Sequence, residues 1–389
     1  MSDTLPNHSE NTITEDFFAK RIDRAGTFSF KWEKYKGTDI LPMWVADTEF
    51  RIAPAIAAAL HANVEHGVLG YHLPVQHTPA NDAVVHWCQQ QYGWTIDPKW
   101  IVWTPGVCPA FNMAVKAFSA PGSNVLVQSP NYPPLLAAPK NQGCHAVHIP
   151  THEVAGRWMI DFVALEQAAK NDATKLFIMC NPMNPVGSVL SQEQLDRVAK
   201  ICRENDVILC SDEIHCDLIL DDIPHLPAGS HSQLRDHSIT LMAANKTFNV
   251  AGLGASFAII PNAKLRTQFT QAAQGMVPWV TIMGLIATEA AFTRCDEWLQ
   301  AQKAYLKANR DHLVSAINGI PGLTAKAPQA TFLLWVDASG LGVENVQKWA
   351  EAKGVGPSPG IDFGNDQFFR LNYGVSREML DEVIARLSA

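Results

Sequence analysis

The sequence lacks the features that mark several large classes of protein. Its 30 lysines and arginines are outnumbered by 38 aspartates and glutamates, which gives a formal net charge of -8. A large nucleic-acid interface requires a basic patch, and an anionic membrane surface also attracts basic residues, so neither kind of partner is expected. No apolar run approaches the ~20 residues that a membrane-spanning helix needs.

Secretion signals and paired cysteines are also absent. The segment from Met1 to His8 has no positively charged stretch followed by an apolar one, in contrast to a secretory signal. None of the eight cysteines has CxxC spacing. In a chain of this length without such a signal, buried and reduced thiols are expected. We therefore expect a cytoplasmic protein.

Common nucleotide and metal motifs are missing as well. The chain has no GxxxxGK[ST] loop and no HExxH sequence. Gly252 and Gly254 begin a dinucleotide-type pattern, but Phe257 replaces the third glycine and a strand follows where a helix is required. The run DEIHCD at 212–217 mixes metal-ligand types, yet alternate side chains of an extended segment point apart. We therefore expect no metal site.

The composition that remains is globular: 47% of the residues are apolar and 17% are charged. In the middle of the chain, continuous apolar runs typical of strands buried on both faces alternate with helical patterns. One helix opens with a capping box at Ser191 and Gln194. The predicted strands are 101–104, 124–128, 175–180, 207–210, 239–243 and 254–260. This alternation predicts a mostly parallel sheet covered by helices.

The ends of the chain follow other patterns. A helix is predicted at 53–66, with Pro54 in its first turn, and another at 79–92. After residue 285 the pattern becomes a long helix over 285–315, which glycines at 319–322 interrupt. Later strands are predicted at 331–336 and 367–372, with helices near 343–353 and 376–388. This part predicts a second, smaller α+β layer.

Reactive side chains follow several of the predicted strands. In an open α/β sheet, ligands bind beyond the carboxyl ends of the strands. If these strands are neighbours, an amide, a carboxylate, an amine, a glycine-containing loop and an aromatic ring converge on one edge. That set fits pyridoxal phosphate, which needs a lysine amine and a carboxylate for its ring nitrogen. The residues concerned are Asn184, Asp212, Lys246, Gly106 and Tyr132.

Each of these residues also has a plainer interpretation when it is taken alone. An isolated lysine is usually a solvated surface charge, and an aspartate after a strand often caps a helix. Asn184 with Pro185 fits a simple turn, and Tyr132 fits a packed loop ring. Arg370 fits an exposed charge at a strand end.

Nine short segments, spread in order over roughly residues 20–375, carry a family resemblance. They are RAGTFSFKW (24–32), LPMWVAD (41–47), HGVLGY (66–71), TPGV (104–107), SPNY (129–132), NPMNPVG (181–187), DEIHCD (212–217), KTFNVAGL (246–253) and FRLN (369–372). The chain resembles the fold-type I pyridoxal-phosphate enzymes of the class I/II aminotransferase superfamily. Within them it is most similar to the cystathionine β-lyase-like (MalY/PatB) C–S lyases.

The resemblance implies an α/β fold with a particular division of the chain. The expected large domain is a mostly parallel, seven-stranded sheet between helices, and it is accompanied by a smaller α+β domain. Residues 53–285 would form the large cofactor-binding domain and residues 286–389 the small one. Residues 1–52 would be an N-terminal segment that contributes to the small domain.

The resemblance also implies a role for each site residue. Lys246 is similar to the Schiff-base lysine and Asp212 to the partner of the pyridinium nitrogen. The expected phosphate loop, ring contacts and other cofactor-binding positions are Gly106, Val107, Cys108, Tyr132, Asn184, His215 and Asn245. Arg370 resembles the clamp for the substrate α-carboxylate, with Ala46 and Asn184 beside it. Tyr71 would reach the phosphate from the neighbouring subunit, which implies a homodimer with a shared active site.

One position departs from the family pattern. The family usually has a serine three residues before the lysine, and its hydroxyl binds the phosphate. Here that position is Ala243. The amide of Asn245, beside the lysine, is the nearest replacement donor in the sequence.

The activity implied by the resemblance is α,β-elimination from cystathionine, cysteine or related S-conjugates, giving pyruvate, ammonia and a thiol. An aminotransferase remains an alternative, because both reactions use the same lysine, aspartate and arginine. A weaker alternative is a cofactor-binding protein that regulates through a protein partner.

Overall fold

The computed structural model of the protein describes Ile13 and residues 16–389. The segment from Met1 to His8, for which no secretory signal is expected, lies outside the described residues. Within this part of the chain the strands form sheets of eight, four and two strands. In chain order the strands are β1 (Leu41–Pro42), β2 (Ile101–Thr104), β3 (Asn124–Ser129), β4 (His145–Val154), β5 (Arg157–Ile160), β6 (Thr174–Cys180), β7 (Ile208–Asp212), β8 (Ser238–Met242), β9 (Ser256–Ile259), β10 (Thr324–Ala325), β11 (Leu333–Asp337), β12 (Val355–Gly356), β13 (Ser358–Pro359) and β14 (Phe368–Asn372).

The largest sheet has the order β2-β9-β8-β7-β6-β3-β4-β5. Its central strands β3, β4, β6, β7 and β8 are parallel, whereas β5 and β9 are antiparallel to their neighbours. This is the mostly parallel sheet that the sequence predicts, with one strand more than the expected seven. The additional strand β5 pairs with β4 through a hairpin whose turn residues, Ala155 and Gly156, both have positive φ. That turn geometry suits the twist of paired strands.

Helices cover the large sheet and the later part of the chain. No helix among the described residues is long and apolar enough to span a bilayer. In chain order the helices are α1 (Asp16–Ala19), α2 (Phe30–Glu33), α3 (Pro54–His66), α4 (Thr78–Tyr92), α5 (Val107–Phe118), α6 (Pro133–Asn141), α7 (Phe162–Ala169), α8 (Gln192–Glu204), α9 (Ala263–Ala273), α10 (Ile282–Arg294), α11 (Asp296–Ile317), α12 (Val346–Ala352) and α13 (Arg377–Ser388).

The start of α8 confirms the capping box. The Ser191 hydroxyl accepts a hydrogen bond from the Gln194 backbone N–H at 3.3 Å, and the Gln194 side-chain oxygen accepts one from the Ser191 N–H at 3.0 Å. Two N–H groups that a helix start leaves without partners are thereby satisfied. The prediction for α3 is confirmed too, since Pro54 occupies its first turn.

The long helix predicted over 285–315 is wrong as a single element. The structure has two helices, α10 and α11, which meet at Cys295. Asp296 and Glu297 lie in the first turn of α11. Negative side chains are favourable at a helix N-terminus, so these residues mark a new start. Helix α10 spans the expected domain boundary at 285/286, which stays a prediction.

Side chains of the central strands alternate between two cores. Leu176 and Ile178 of β6 join the core that includes residues of α5, α6 and α9. Phe177 and Met179 of the same strand join the core that includes residues of α7 and α8. Alternation is the rule for a strand, and here both faces are buried. The continuous apolar runs of the sequence are thereby explained.

The later part of the chain forms the second layer. Its sheet is antiparallel, with the order β10-β11-β14-β13. The N-terminal segment joins this part through β1, which pairs in parallel with β12, Leu41 opposite Val355. This pairing supports the expectation that the N-terminal segment contributes to a smaller domain.

The carboxyl ends of neighbouring strands lie in register. Cys180 of β6 pairs with Asp212 of β7, which pairs with Leu241 of β8. At the end of β2, Thr104 pairs with Ser256 of β9, the strand beside β8. The loops that follow β2, β6, β7 and β8 therefore leave the sheet at one edge, as the sequence pattern required.

Candidate active site

A cavity of about 420 Å³ lies at this edge of the large sheet. The structure brings together around it every site residue expected from the sequence, with the exception of Tyr71. These residues are Ala46, Gly106, Val107, Cys108, Tyr132, Asn184, Asp212, His215, Asn245, Lys246 and Arg370. Residues from seven separate segments of the chain thus converge on one space.

Lys246 lies in the turn after β8 and its amine is buried. The Nζ atom donates a hydrogen bond to the backbone carbonyl of Ala46 at 2.6 Å. Burial lowers the pKa of Lys246, and the nearby Asp47 carboxylate partly opposes that shift. The next residue, Thr247, donates its hydroxyl hydrogen bond to Asp217 at 3.1 Å, which anchors the turn. The surface-charge interpretation of this lysine is therefore wrong.

Asp212 is the last residue of β7 and is buried. Its Oδ1 atom accepts a hydrogen bond from the Ile214 N–H at 3.2 Å. Burial raises the pKa of this carboxyl to about 7, and the charge of Lys246 only partly offsets the effect. A buried carboxyl with so little compensation is well suited to a cationic partner, such as a protonated ring nitrogen.

His215 follows three residues later and also lines the cavity. Burial lowers its pKa to about 3, and the positive charges of Lys246 and Arg370 act in the same direction. The imidazole is therefore neutral at physiological pH. Its Nδ1 atom is buried and has no hydrogen-bond partner in the described part of the chain. Its ring packs edge-on against Phe332 at 5.9 Å.

The other acidic residues of the DEIHCD run, Glu213 and Asp217, form hydrogen bonds with neighbouring parts of the structure. Glu213 accepts hydrogen bonds from the Ala228 N–H at 2.9 Å and pairs with His225 at 2.7 Å. Asp217 accepts from Trp87, Tyr92 and Thr247. The His225–Glu213 pair was not expected from the sequence, because its members lie twelve positions apart in the chain. Among the described residues no group of three or more His, Cys, Asp or Glu could hold a metal ion.

The amino end of α5 forms one wall of the cavity. Gly106 precedes this helix, and no side chain caps the first N–H groups. Uncapped N–H groups and the helix dipole make such an end a binding site for an anion such as a phosphate. Asn245 lines the same cavity, whereas Ala243 is buried in the core below it. The amide of Asn245 therefore stays the candidate replacement donor.

Tyr132 lines the cavity near this helix end. Its ring is half-buried, and its hydroxyl lies 3.8 Å from the Cys108 sulfur. Burial raises the pKa of the Tyr132 hydroxyl, and the Cys108 thiol adds to the shift. The phenol therefore stays protonated and presents a neutral ring to the cavity. Tyr132 is therefore more than a packed loop residue, because it also lines the cavity.

Arg370 lies in the middle of β14, so its interpretation as an exposed strand-end charge is wrong. It donates to the Asn184 side-chain oxygen at 2.7 Å, the Trp44 carbonyl at 2.6 Å and the Ser358 hydroxyl at 3.1 Å. Its guanidinium carbon lies 4.7 Å from the centre of the Phe363 ring. Burial lowers its pKa to about 10, which still leaves it charged. Its buried Nε has no partner in the described chain, so the cation keeps a donor for a ligand.

A buried cluster of charges supports the loop that carries Ala46. Lys31 and Glu49 are both buried, and their charged atoms lie 2.7 Å apart. Arg24 bridges Asp47 at 3.2 Å and Glu49 at 3.4 Å. The Trp32 indole N–H donates to Glu49 as well. Arg24, Lys31 and Trp32 lie in the segment 24–32 and Asp47 lies in the segment 41–47, so the cluster joins two of the segments that carry the resemblance.

Several cavity residues were not found from the sequence. Phe30 and Trp44 lie inside segments that carry the resemblance, so a signal for them was present. Lys34, Ser358, Asp362 and Phe363 lie outside those segments, and no spacing rule connects them to the strand ends. Ser358, Asp362 and Phe363 reach the cavity because β13 and the turn after it pack beside β14, whereas Lys34 reaches it from the end of α2.

Tyr71 lies apart from the cavity within a single chain. Its side chain is fully exposed, and it lines a surface groove together with Leu69, His72 and Trp279. Other exposed apolar side chains lie close to these residues along the chain, namely Val64, Val68, Leu73, Val75 and Met276. Contiguous exposed apolar surface of this kind commonly marks a protein–protein contact.

Comparison with known proteins agrees with this geometry. The family description "Aminotransferase class I and II" matches residues 45–387. The chain belongs to this family. It is 38% identical over 384 residues to cystathionine beta-lyase PatB of Bacillus subtilis (strain 168), covering 96% of this chain and 99% of PatB.

Solved structures give the same result. The crystal structure of OvoB has a TM-score of 0.92 and 41% identity, and the match covers 95% of this chain and 97% of OvoB. Cystalysin from Treponema denticola, whose structure contains pyridoxal 5'-phosphate, has a TM-score of 0.92 and 31% identity over 95% of this chain and 97% of its own. The expected family and the fold-type I architecture are confirmed.

The cavity fits the pyridoxal phosphate expected from the sequence. A buried amine, an uncompensated buried carboxyl and a helix end without a cap lie around one space. In this arrangement Lys246 would hold the cofactor through its amine, Asp212 would face the ring nitrogen and α5 would face the phosphate. Each of these groups lacks a full set of partners within the described protein, which is the condition for accepting a ligand.

Proposed function

We propose that the protein is a pyridoxal-phosphate-dependent C–S β-lyase. It would cleave cystathionine, cysteine or related S-conjugates by α,β-elimination, with water as the second reactant and pyruvate, ammonia and a thiol as products. The observation that carries the proposal is the position of Lys246 and Arg370 on one cavity, in a chain 38% identical to a cystathionine β-lyase over nearly its full length.

Arg370 would bind the substrate. Its planar guanidinium matches a carboxylate in a bidentate manner, and the free Nε provides a donor for it. Asn184 and Ser358 hold the guanidinium in place on both sides. Fixing the α-carboxylate sets the direction of the Cα–H bond relative to Lys246, so that binding prepares the proton transfer.

Lys246 would move the proton. Because burial lowers its pKa, a larger share of the amine is neutral and able to act as a base. The bound cofactor supplies an electron sink for the charge left on Cα. Asp212 would keep the ring nitrogen protonated, which strengthens that sink. A thiolate on the β-carbon can then leave as a stable anion, and the Lys246 ammonium is placed to protonate it.

The test is incubation with cystathionine without any keto acid, while pyruvate and free thiol are followed. We expect both products in equal amounts. Aminotransferase activity is the second candidate, because the family carries that description and the same residues serve it. Its signature is amino-group transfer to an added keto acid with no thiol released from any cysteine conjugate.

We also propose a homodimer with a shared site. Tyr71 and the exposed apolar side chains around its groove support an interface there. In that arrangement Tyr71 of each subunit would reach the phosphate end of its neighbour's cavity. A cytoplasmic location is likewise a proposal, supported by eight cysteines that form no disulfide and are mostly buried.

A further inference from the structure

The outer part of the cavity has a structure of its own, centred on Trp44. The Trp44 carbonyl accepts a hydrogen bond from Arg370, and Trp44 also lines the cavity. The Phe30 ring lies 4.7 Å from the Trp44 ring, and the Lys34 Nζ lies 4.8 Å from it. Trp44 thus contacts both Arg370, the proposed carboxylate clamp, and Lys34 at the rim of the cavity.

Lys34 is an exposed cation held on two aromatic rings. Its Nζ lies 4.8 Å from the Tyr35 ring as well as from the Trp44 ring. Within the described chain no carboxylate lies within ion-pair distance of this ammonium, although Lys36 nearby pairs with Glu33 at 3.1 Å. Stacking on aromatic faces restrains the side chain over the cavity and leaves its N–H donors available.

Asp362 places a negative charge on the same cavity. It lies in the turn Gly360–Phe363, is exposed, and has no cationic partner within ion-pair distance among the described residues. Its neighbour Phe363 packs against the Arg370 guanidinium. The rim therefore carries one positive and one negative charge that do not pair with each other, both adjacent to residues that contact Arg370.

This pattern complements a zwitterion. With the α-carboxylate on Arg370, a long sulfur substituent would extend along the cavity towards Lys34 and Asp362, which line it as well. We propose that Lys34 and Asp362 bind the carboxylate and the ammonium of a second amino acid carried by the departing thiol. The enzyme would therefore prefer cysteine conjugates with a zwitterionic distal end to simple S-alkyl cysteines. This inference rests on the proposed lyase function.

The experiment uses cysteine conjugates that share an S–CH2–CH2 unit and carry distal groups of different charge. They are S-ethylcysteine, S-(2-carboxyethyl)cysteine, S-(2-aminoethyl)cysteine and cystathionine, each assayed with the holoenzyme for pyruvate and thiol. Lys34→Met should lower the kcat/KM ratio of S-(2-carboxyethyl)cysteine to S-ethylcysteine about fivefold, the size of one partly exposed ion pair. Asp362→Asn should do the same for S-(2-aminoethyl)cysteine, and both variants should lower the ratio for cystathionine.

Matched controls separate charge recognition from structural damage. Lys34→Arg keeps the charge and should keep the preference. Lys36→Gln and Asp366→Asn alter nearby exposed charges that do not line the cavity, and should leave all ratios at the wild-type values. If the kcat/KM ratios of Lys34→Met and Asp362→Asn equal those of the wild type while thiol is still released, the rim charges do not recognise the substrate. That result would overturn this inference and leave the lyase function standing. Absence of thiol and pyruvate from every conjugate with the wild-type enzyme would overturn the lyase function itself.

Discussion

The amine of Lys246 donates a hydrogen bond to the backbone carbonyl of Ala46, 200 residues earlier in the chain, at 2.6 Å. This contact ties the turn after β8 to the segment that follows β1. The buried pair of Lys31 and Glu49 supports that segment from the other side. The N-terminal segment is thus part of the active-site framework.

Removing the Lys246 amine should abolish stable cofactor attachment. Lys246→Ala takes away the amine that would hold pyridoxal phosphate covalently, whereas the other proposed cofactor contacts are hydrogen bonds and stacking. We expect the visible absorbance of the purified protein to vanish after removal of free cofactor, and activity to fall by orders of magnitude. A retained spectrum and rate would show that another residue holds the cofactor.

Asp212→Asn should lower turnover far more than cofactor occupancy. An amide cannot hold a proton on the ring nitrogen, so the electron sink weakens while the remaining contacts persist. The measurement is cofactor content per subunit beside kcat. Near-normal turnover in this variant would assign the nitrogen contact to another residue.

The same residue should make the stability of the cofactor-free protein depend on pH. Burial raises the Asp212 pKa to about 7, above its ordinary value of 3.8. Between these values the folded state holds a proton that the unfolded state has released, so the free energy of unfolding falls as pH rises towards 7. The free energy of unfolding of Asp212→Asn should therefore increase relative to that of the wild type as the pH rises from 5 to 8. Parallel melting curves of the two proteins would contradict the raised pKa.

Arg370→Lys should raise the KM for amino-acid substrates. An ammonium is a point charge and cannot reproduce the fork that binds a carboxylate through two parallel hydrogen bonds. We expect KM to rise roughly tenfold or more, with cofactor content maintained. Steady-state kinetics with cystathionine and the absorbance of the bound cofactor check the two parts separately. A KM equal to that of the wild type would remove Arg370 from the carboxylate site.

Tyr71→Phe should weaken cofactor retention in the proposed dimer, because the phosphate loses a hydroxyl donor and Ala243 offers none. The protein should sediment as a dimer. Mixing Tyr71→Phe subunits with Lys246→Ala subunits provides the sharper test. A hybrid dimer contains one site with both residues intact, so activity should recover on mixing. Failure to recover, or full activity of a monomer, would refute the shared site.

Lys31→Met should destabilise the protein by about 3 kcal/mol, because it leaves the buried Glu49 with fewer compensating charges. Burial acts to raise the pKa of Glu49, but Lys31, Arg24 and Trp32 outweigh it and hold the pKa below its ordinary value. The stabilisation is therefore present at neutral pH and is lost as pH falls through the folded-state pKa. Denaturant titrations at pH 7 and at acidic pH measure it. Lys36→Met, which breaks an exposed pair, is the control and should change stability by less than about 0.5 kcal/mol.

The sequence by itself determined the sheet, the family and most of the site. Strands buried on both faces carry continuous apolar runs, so β6, β7 and β8 were found within one or two residues of their observed bounds. Reactive residues placed directly after such strands predict a shared edge, because parallel strands end on the same side. Local rules also found the capping box of α8, since that motif depends only on neighbouring residues.

Only the tertiary structure decided what depends on contacts between distant parts of the chain. The break at Cys295, the pairing of β1 with β12 and the approach of Ala46 to Lys246 join segments that no local pattern relates. The burial of Arg370 and the positions of Lys34 and Asp362 at the cavity were equally hidden. A periodic pattern shows which face of a strand or helix is buried, but the partner that covers that face is chosen by packing of the whole chain.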